Sequence, residues 1–438
     1  MKISGEKRKW LTIFTIIFYA HASSVCASIR YGFLADAFSR RNIPGKIYGL
    51  VGTSLFLGFG FMFFSQGTEK LMRKWSSRSI LLLSMLGWAI VSLLTGFAYS
   101  IPDTTVVIAI SFVLRICQGV LSYTSTLVPI DFINANFPEE FDMVNGLVNM
   151  GYFSGHGVAE AVGCVIYDKI GYTAAYGFTA VVALLAATSS FFFIPNTRTY
   201  LSTQDDISDD DQTMLKTGSK KNKLTKLLII PMIATMLINA NYGVIQVTVT
   251  PFLKEEFNKS ISYGGTVLTL VSIGMATGSV SVGVILQKKI LNPLTAMGIG
   301  ATCIFTGLLV TFPPQSLPAL YELSPILAYP GVFTAGLGDP IMTIATLRAL
   351  CDIQLQKKGL LTPKMVTRIT SIWIVGYSSM YYAGSFIAGT LMDYFSYSAS
   401  AEILAGFCLI ALLICIGMRL YVKDKADEDK EKVALIKQ

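Results

Sequence analysis

The chain has 438 residues, 53% of them hydrophobic and 14% charged, against about 25% charged residues in a typical soluble domain. That balance excludes a soluble globular protein and points to a polytopic, all-α membrane protein. The net charge of +8 comes from 35 lysines and arginines clustered in loops, so no nucleic-acid partner is needed to explain it.

Apolar runs of about 20 residues, enough to cross a hydrocarbon core of about 30 Å as a helix, recur along the chain. They predict twelve spans at roughly 10–30, 46–66, 79–100, 105–128, 143–165, 172–194, 225–249, 262–286, 291–312, 325–347, 367–391 and 399–420. Span 1 follows MKISGEKRKW without a small-residue cleavage site and reads as a retained helix. Most of the basic residues fall before span 1, in loops 2–3, 6–7 and 10–11, and in the tail, which puts both termini in the cytosol by the positive-inside rule. The halves are then expected as a six-helix bundle over 1–194, a cytosolic linker over 195–224, a second six-helix bundle over 225–420 and a cytosolic tail over 421–438.

Span 4 holds Arg115 and Gln118, a cation and an amide inside an apolar run. Span 5 carries a single carboxylate, Glu160, within GYFSGHGVAEAVGCVIYD (151–168). A charge at the bilayer centre costs about 2.5–3.5 kcal/mol on insertion scales, so Glu160 is expected to face a cavity and bind a proton or a substrate amine alternately. Its alternative is a structural partner for Arg115, or a protonated, hydrogen-bonded side chain. Gly151, Gly155, Ala159 and Gly163 form a stripe of small residues that lets a neighbouring backbone approach. Sliding span 5 onto span 11 so that Gly151 meets Gly376 puts Gly155 on Met380, Ala159 on Gly384 and Gly163 on Ala388. Asp168 then meets Asp393 and Tyr172 meets Tyr397, as an internal repeat requires. The same shift sets Arg115 opposite Pro340, next to Asp339.

The linker contains DDISDDD and then KTGSKKNKLTK, a solvated segment in which Ser208 is a candidate switch. INANYG in span 7 places Asn239, Asn241 and Tyr242 in an apolar setting, lining a cavity or pairing between helices. Asn258-Lys-Ser260 is a glycosylation sequon in a loop that charge counting puts outside the cytosol. GLGDPIM in span 10 sets Asp339 before a proline that frees a backbone carbonyl, a setting suited to a cation or proton. His21 and His156 are the two histidines, each more readily read as hydrogen-bonded packing than as a switch; Tyr381 and Tyr382 are expected mainly to face lipid and the interface, with a cation–π wall for an amine as the alternative. In the tail, Glu431, Leu435 and Ile436 fit the acidic dileucine pattern read by endosomal sorting adaptors, which an extended tail would present. Seven cysteines without a CxxC pair suggest no disulfide or metal framework, no cofactor motif is present, and no ATP-binding loop supports a pump.

RICQG (115–119) resembles the RxxQG motif of the major facilitator superfamily, and Gly155, Ala159, Glu160, Gly163 and Cys164 align with its antiporter motif. CASIRYGFLADAFSRRNIPGKIYGLVGTSLFL (26–57), FPEEFDMVNGLVNMGYFSG (137–155) and GLGDPIM (336–342) are similar to the vesicular amine transporter family, especially its polyamine branch. Loop 2–3 departs from the pattern, reading RKWSSR (73–78), and Glu160 stands where the antiporter motif has proline. Carboxylates of monoamine carriers align with Ser23 and near Ile374, which points away from monoamine substrates. The resemblance implies twelve helices in two pseudo-symmetric bundles and alternating access. It also implies exchange of a small organic cation, a polyamine or other amine, for protons across a vesicular or endosomal–lysosomal membrane. The alternatives are a facilitator or exporter of another solute class, including anions held by Arg115, and a non-transporting receptor or scaffold.

Overall fold

A computed structural model describes residues 5–30, 33–43, 45–196, 226–358, 363–394 and 396–436. Most of the expected linker, with Ser208, lies outside these residues. In the first stretch the helices are α1 (Gly5–Ser28), α2 (Leu34–Ser39), α3 (Gly45–Thr53), α4 (Leu55–Ser65), α5 (Gly67–Lys74), α6 (Ser77–Ala98), α7 (Thr104–Asn136), α8 (Phe141–Lys169) and α9 (Tyr172–Phe193). The second stretch holds α10 (Ile229–Phe257), α11 (Ile261–Gln287), α12 (Pro293–Thr311), α13 (Pro318–Glu322), α14 (Ser324–Lys358), α15 (Pro363–Tyr394) and α16 (Tyr397–Ile436).

Among the described residues seven helices are long and apolar enough to cross a membrane, or up to nine if each bent pair is one span. The protein is thus an all-helical membrane protein. The further long helices α8, α14 and α15 cover the segments expected as spans 5, 10 and 11. Span 2 is not one straight helix: α3 and α4 divide it, and the chain turns by 57° at Gln66, whose φ of 52° ends α4. Several helices overrun their predicted ends, because hydropathy marks the part that faces lipid while the helix continues into polar sequence. The tail is the plainest correction: α16 is one helix to Ile436, so Glu431, Leu435 and Ile436 sit on helical backbone rather than an extended strand, and their side chains lie outside the described residues.

Local chemistry sets the helix ends. Asp103 caps α7 by accepting from the backbone N–H groups of Thr105 and Val106, and Asn292 caps α12 with Pro293 at its first turn. Between α8 and α9 the chain reverses at Gly171, whose φ of 115° is open to glycine and costly to other residues. Lys9 pairs with Glu140, and Thr12 donates to the carbonyl of Phe193, so the start of α1, the α7–α8 turn and the end of α9 share one face, here termed the N-terminal face.

Small residues set the closest crossings. A Cβ on Gly151 would lie 2.5 Å from the Ile17 carbonyl, and Gly155 and Gly163 meet His21 and Ile29, so the stripe on α8 lies on α1. Ala159 is buried in the same cluster as Val25 and Ile29. On α15, Gly376 and Gly384 meet Met232 and Ala240 of α10, the counterpart crossing in the second stretch, while the side chain of Ala388 lies outside the described residues. Gly336 faces Val271 of α11 and Gly338 faces Gly300 of α12, wedging α14 between those two helices. The two stretches meet where Gly146 and Gly157 of α8 approach Gly283 and Ser272 of α11.

Candidate functional site

Between the two stretches lies a cavity of about 100 Å³, room for several waters or a slender solute. From the first stretch it is lined by Ser23, Ser24 and Ala27 of α1, Phe59 of α4, Ser122 and Thr126 of α7, and Asn149, Tyr152, Phe153 and His156 of α8. From the second come Asn239 and Tyr242 of α10, Asp339 and Thr343 of α14, and Tyr377, Ser378 and Tyr381 of α15. Among the described residues the lining therefore has one carboxylate, one imidazole and several phenol rings, with no lysine or arginine.

Asp339 is 4% exposed, and its Oδ1 has no hydrogen-bond partner. Ser24 Oγ and His156 Nδ1 are likewise buried without one. A polar atom left so in an apolar interior costs about 1–3 kcal/mol, so these groups await a ligand, a proton or water. Around Asp339 the framework is firm. Asn239 donates to the Thr235 carbonyl at 2.9 Å and reaches Thr343 Oγ1 at 3.5 Å, Thr235 meets Thr346 at 2.6 Å, and the Trp373 indole donates to the Thr343 carbonyl at 2.9 Å. Tyr242 and Tyr381 stack with centroids 5.2 Å apart, and Phe153 lies over His156 at 6.5 Å. Each proline in α14, Pro330 and Pro340, is accommodated within a continuous helix, so the loosened carbonyl before Asp339 does not break it.

Of the site residues expected from sequence, Asp339, Asn239 and Tyr242 come together here. Arg115 and Gln118 do not line the cavity; they pair with each other on α7, about 10 Å of helix from Thr126 and Ser122 towards the opposite face. Asn241 bonds Cys408 of α16 at 3.3 Å, away from the cavity. Glu160 is 3% exposed and also outside the lining, one turn along α8 from His156. His21 bonds Ser154 at 2.9 Å. Sequence reasoning missed the hydroxyls of Ser23, Ser24 and Thr343 and the rings of Tyr152 and Tyr377.

At the N-terminal face the two stretches are fastened together. Arg348 of α14 reaches Asp142 of α8 at 3.3 Å and Asp352 at 3.2 Å, while Gln287 of α11 donates to the Glu139 carbonyl. Both carboxylates lie beyond the apolar spans; burial raises each above its ordinary value, and Arg348 offsets part of that rise. Nearer the cavity, Thr367 of α15 donates to Asp131 of α7 at 2.7 Å and Ser371 donates to Glu69 of α5 at 3.4 Å. Four polar contacts thus join the two stretches on this side of the cavity.

Comparison with known proteins accords with this architecture. The family model of the Major Facilitator Superfamily matches residues 11–354. The chain is 22% identical over 301 residues to the MFS-type transporter SLC18B1 of Homo sapiens, an alignment covering 65% of this chain and 61% of that protein. An all-helical membrane chain with a central cavity, matched over most of its length by that family model, belongs to the major facilitator superfamily.

Proposed function

We propose that the chain exchanges a small organic cation, a polyamine or related amine, for protons by alternating access between two six-helix bundles, spanning the membrane twelve times with both termini cytosolic. The observation that carries this reading is the buried, unpartnered Oδ1 of Asp339, which faces a cavity with phenol rings and, among the described residues, no cationic side chain. A carboxylate in such a setting suits an ammonium group, and the Tyr242–Tyr381 wall adds cation–π attraction. Anion transport through Arg115 finds less support, since that guanidinium lies outside the lining. The distant likeness to a vesicular amine transporter family member, together with the Glu431, Leu435 and Ile436 pattern, supports residence on endosomal, lysosomal or secretory vesicles; a scaffold role would leave the unpartnered carboxylate without purpose.

The test is uptake by purified protein in liposomes under an imposed pH gradient, against amines, polyamines and organic anions. Gradient-driven accumulation of amines is expected, and Asp339→Asn should abolish it while leaving the protein folded. Accumulation of anions alone, or full amine uptake by Asp339→Asn, would overturn the reading.

A further inference from the structure

Asp131 is a second buried carboxylate, and nothing in the cavity chemistry accounts for it. It sits on α7 near the N-terminal face and is 4% exposed. Its Oδ1 accepts from Thr367 Oγ1 of α15 at 2.7 Å, but its Oδ2 has no partner. Thr370, one turn further along α15, lines the same crevice and also has a buried Oγ1 without a partner. Among the described residues no cation balances this carboxylate; the side chain of Lys364, one turn before Thr367 on α15, lies outside them. On α5, Glu69 adds negative charge, while Lys70, Arg73 and Lys74 are exposed. Arg368 of α15 and Arg8 of α1 are exposed, Tyr123 of α7 is neutral, and Asp142 at the start of α8 is held by Arg348.

A carboxylate in this position is stable only if its second oxygen is neutralised, because an unpaired buried charge costs several kcal/mol. A proton on Oδ2 meets that need and makes it a donor, with the Thr370 hydroxyl in the same crevice as acceptor. We infer that Asp131 is a proton-binding site, distinct from the cavity carboxylate, that is occupied while α7 and α15 are joined and emptied when they part. On separation the Oδ2–H bond breaks to water entering from the N-terminal face, leaving a hydrated carboxylate; on closure Asp131 takes a proton from that same water. Since the joined state binds the proton more tightly, acidity at this face favours closure and alkalinity favours opening. The inference deepens the exchange reading and rests on it for the use made of the proton.

Spin labels at Arg73→Cys on α5 and Arg368→Cys on α15, with Cys117 replaced by serine, would report the width of this face in the full chain in lipid nanodiscs. The distance between them should lengthen as pH rises from 5 to 8, and Asp131→Asn should stay short throughout. Thr370→Val, which removes the acceptor but not the acid, should move the midpoint down by about one pH unit. Asp339→Asn should keep the wild-type pH response even though it transports nothing, which separates failure here from failure of the cavity reading. An unchanged response in Asp131→Asn, an unchanged midpoint in Thr370→Val, or a wild-type distance that ignores pH would each overturn the inference. Where Asp131→Asn does not fold, the Thr370→Val midpoint decides alone.

Discussion

Tyr242 lies stacked on Tyr381 in the wall of the cavity that holds Asp339. A ring face attracts an organic cation by about 0.5–2 kcal/mol, so Tyr242→Ala should raise the KM for amine uptake by between about twofold and thirtyfold. Tyr242→Phe, which keeps the ring, should stay near wild type; equal losses in both variants would assign the effect to the hydroxyl. Its neighbours show what a sequence can say at this scale. Asn239 and Asn241 are two residues apart, a rotation of about 200°, so a helix cannot point both at one cavity. Asn239 and Tyr242, three apart, share the cavity face, while Asn241 turns to Cys408. Asp339 was legible because a carboxylate in an apolar run has a high cost and hence a reason. By the same measure Arg115 and Glu160 stand out, yet their cost says only that they are buried; they share the cavity azimuth of α7 and α8 but lie further along each helix, towards the opposite face. Ser24 and Thr343 carried no signal, since hydroxyls in membrane helices commonly bond their own backbone, and Ser23 stood out only as the place where monoamine carriers align a carboxylate.

The crossing of α4 and α7 depends on Gly58 and Gly119. A Cβ on Gly58 would lie 2.8 Å from the backbone nitrogen of Val120, and one on Gly119 would run into the backbone of Leu55. The glycine of RICQG is therefore a packing position, whatever else its motif does. Gly119→Val should cost about 1–3 kcal/mol by forcing these helices apart, seen as a lower thermal unfolding midpoint in detergent. Gly177→Ala, where nothing lies within 4 Å, is the matched control and should leave that midpoint unchanged. Helix positions were legible from hydropathy because the bilayer imposes its own length scale. Helix ends were not, since beyond the lipid they follow caps such as Asp103 and turns such as Gly171, and not apolar content. The bend at Gln66 was hidden because it falls where the apolar run of α4 gives way to the polar α5, which hydropathy reads simply as the end of the span.

Across the whole molecule, opening the N-terminal face requires Arg348 to leave Asp142. The pair is partly exposed, 39% on the arginine side and 9% on the aspartate side, so its loss is worth about 1 kcal/mol. Arg348→Ala should thus speed labelling of a cysteine at Ser122 from that face about fivefold, read with a membrane-impermeant thiol reagent; an unchanged rate would show that the pair does not restrain opening. Sidedness is open to a separate check at the α10–α11 turn, where Asn258 ends one helix with φ 52° and Ser260 caps the next. A glycan at Asn258, detected as a mass shift removed by glycosidase, is expected; labelling of a cysteine at 258 from the cytosol would invert the topology. The last helix adds a dimension of its own. Its apolar part ends at Tyr421 and the helix runs on to Ile436, which at 1.5 Å per residue is a mast on the order of 20 Å tall. Held along the bilayer normal, a helix of that length would exceed two Debye lengths at physiological salt, about 8 Å each, and would carry its tip beyond the electrostatic reach of the lipid headgroups.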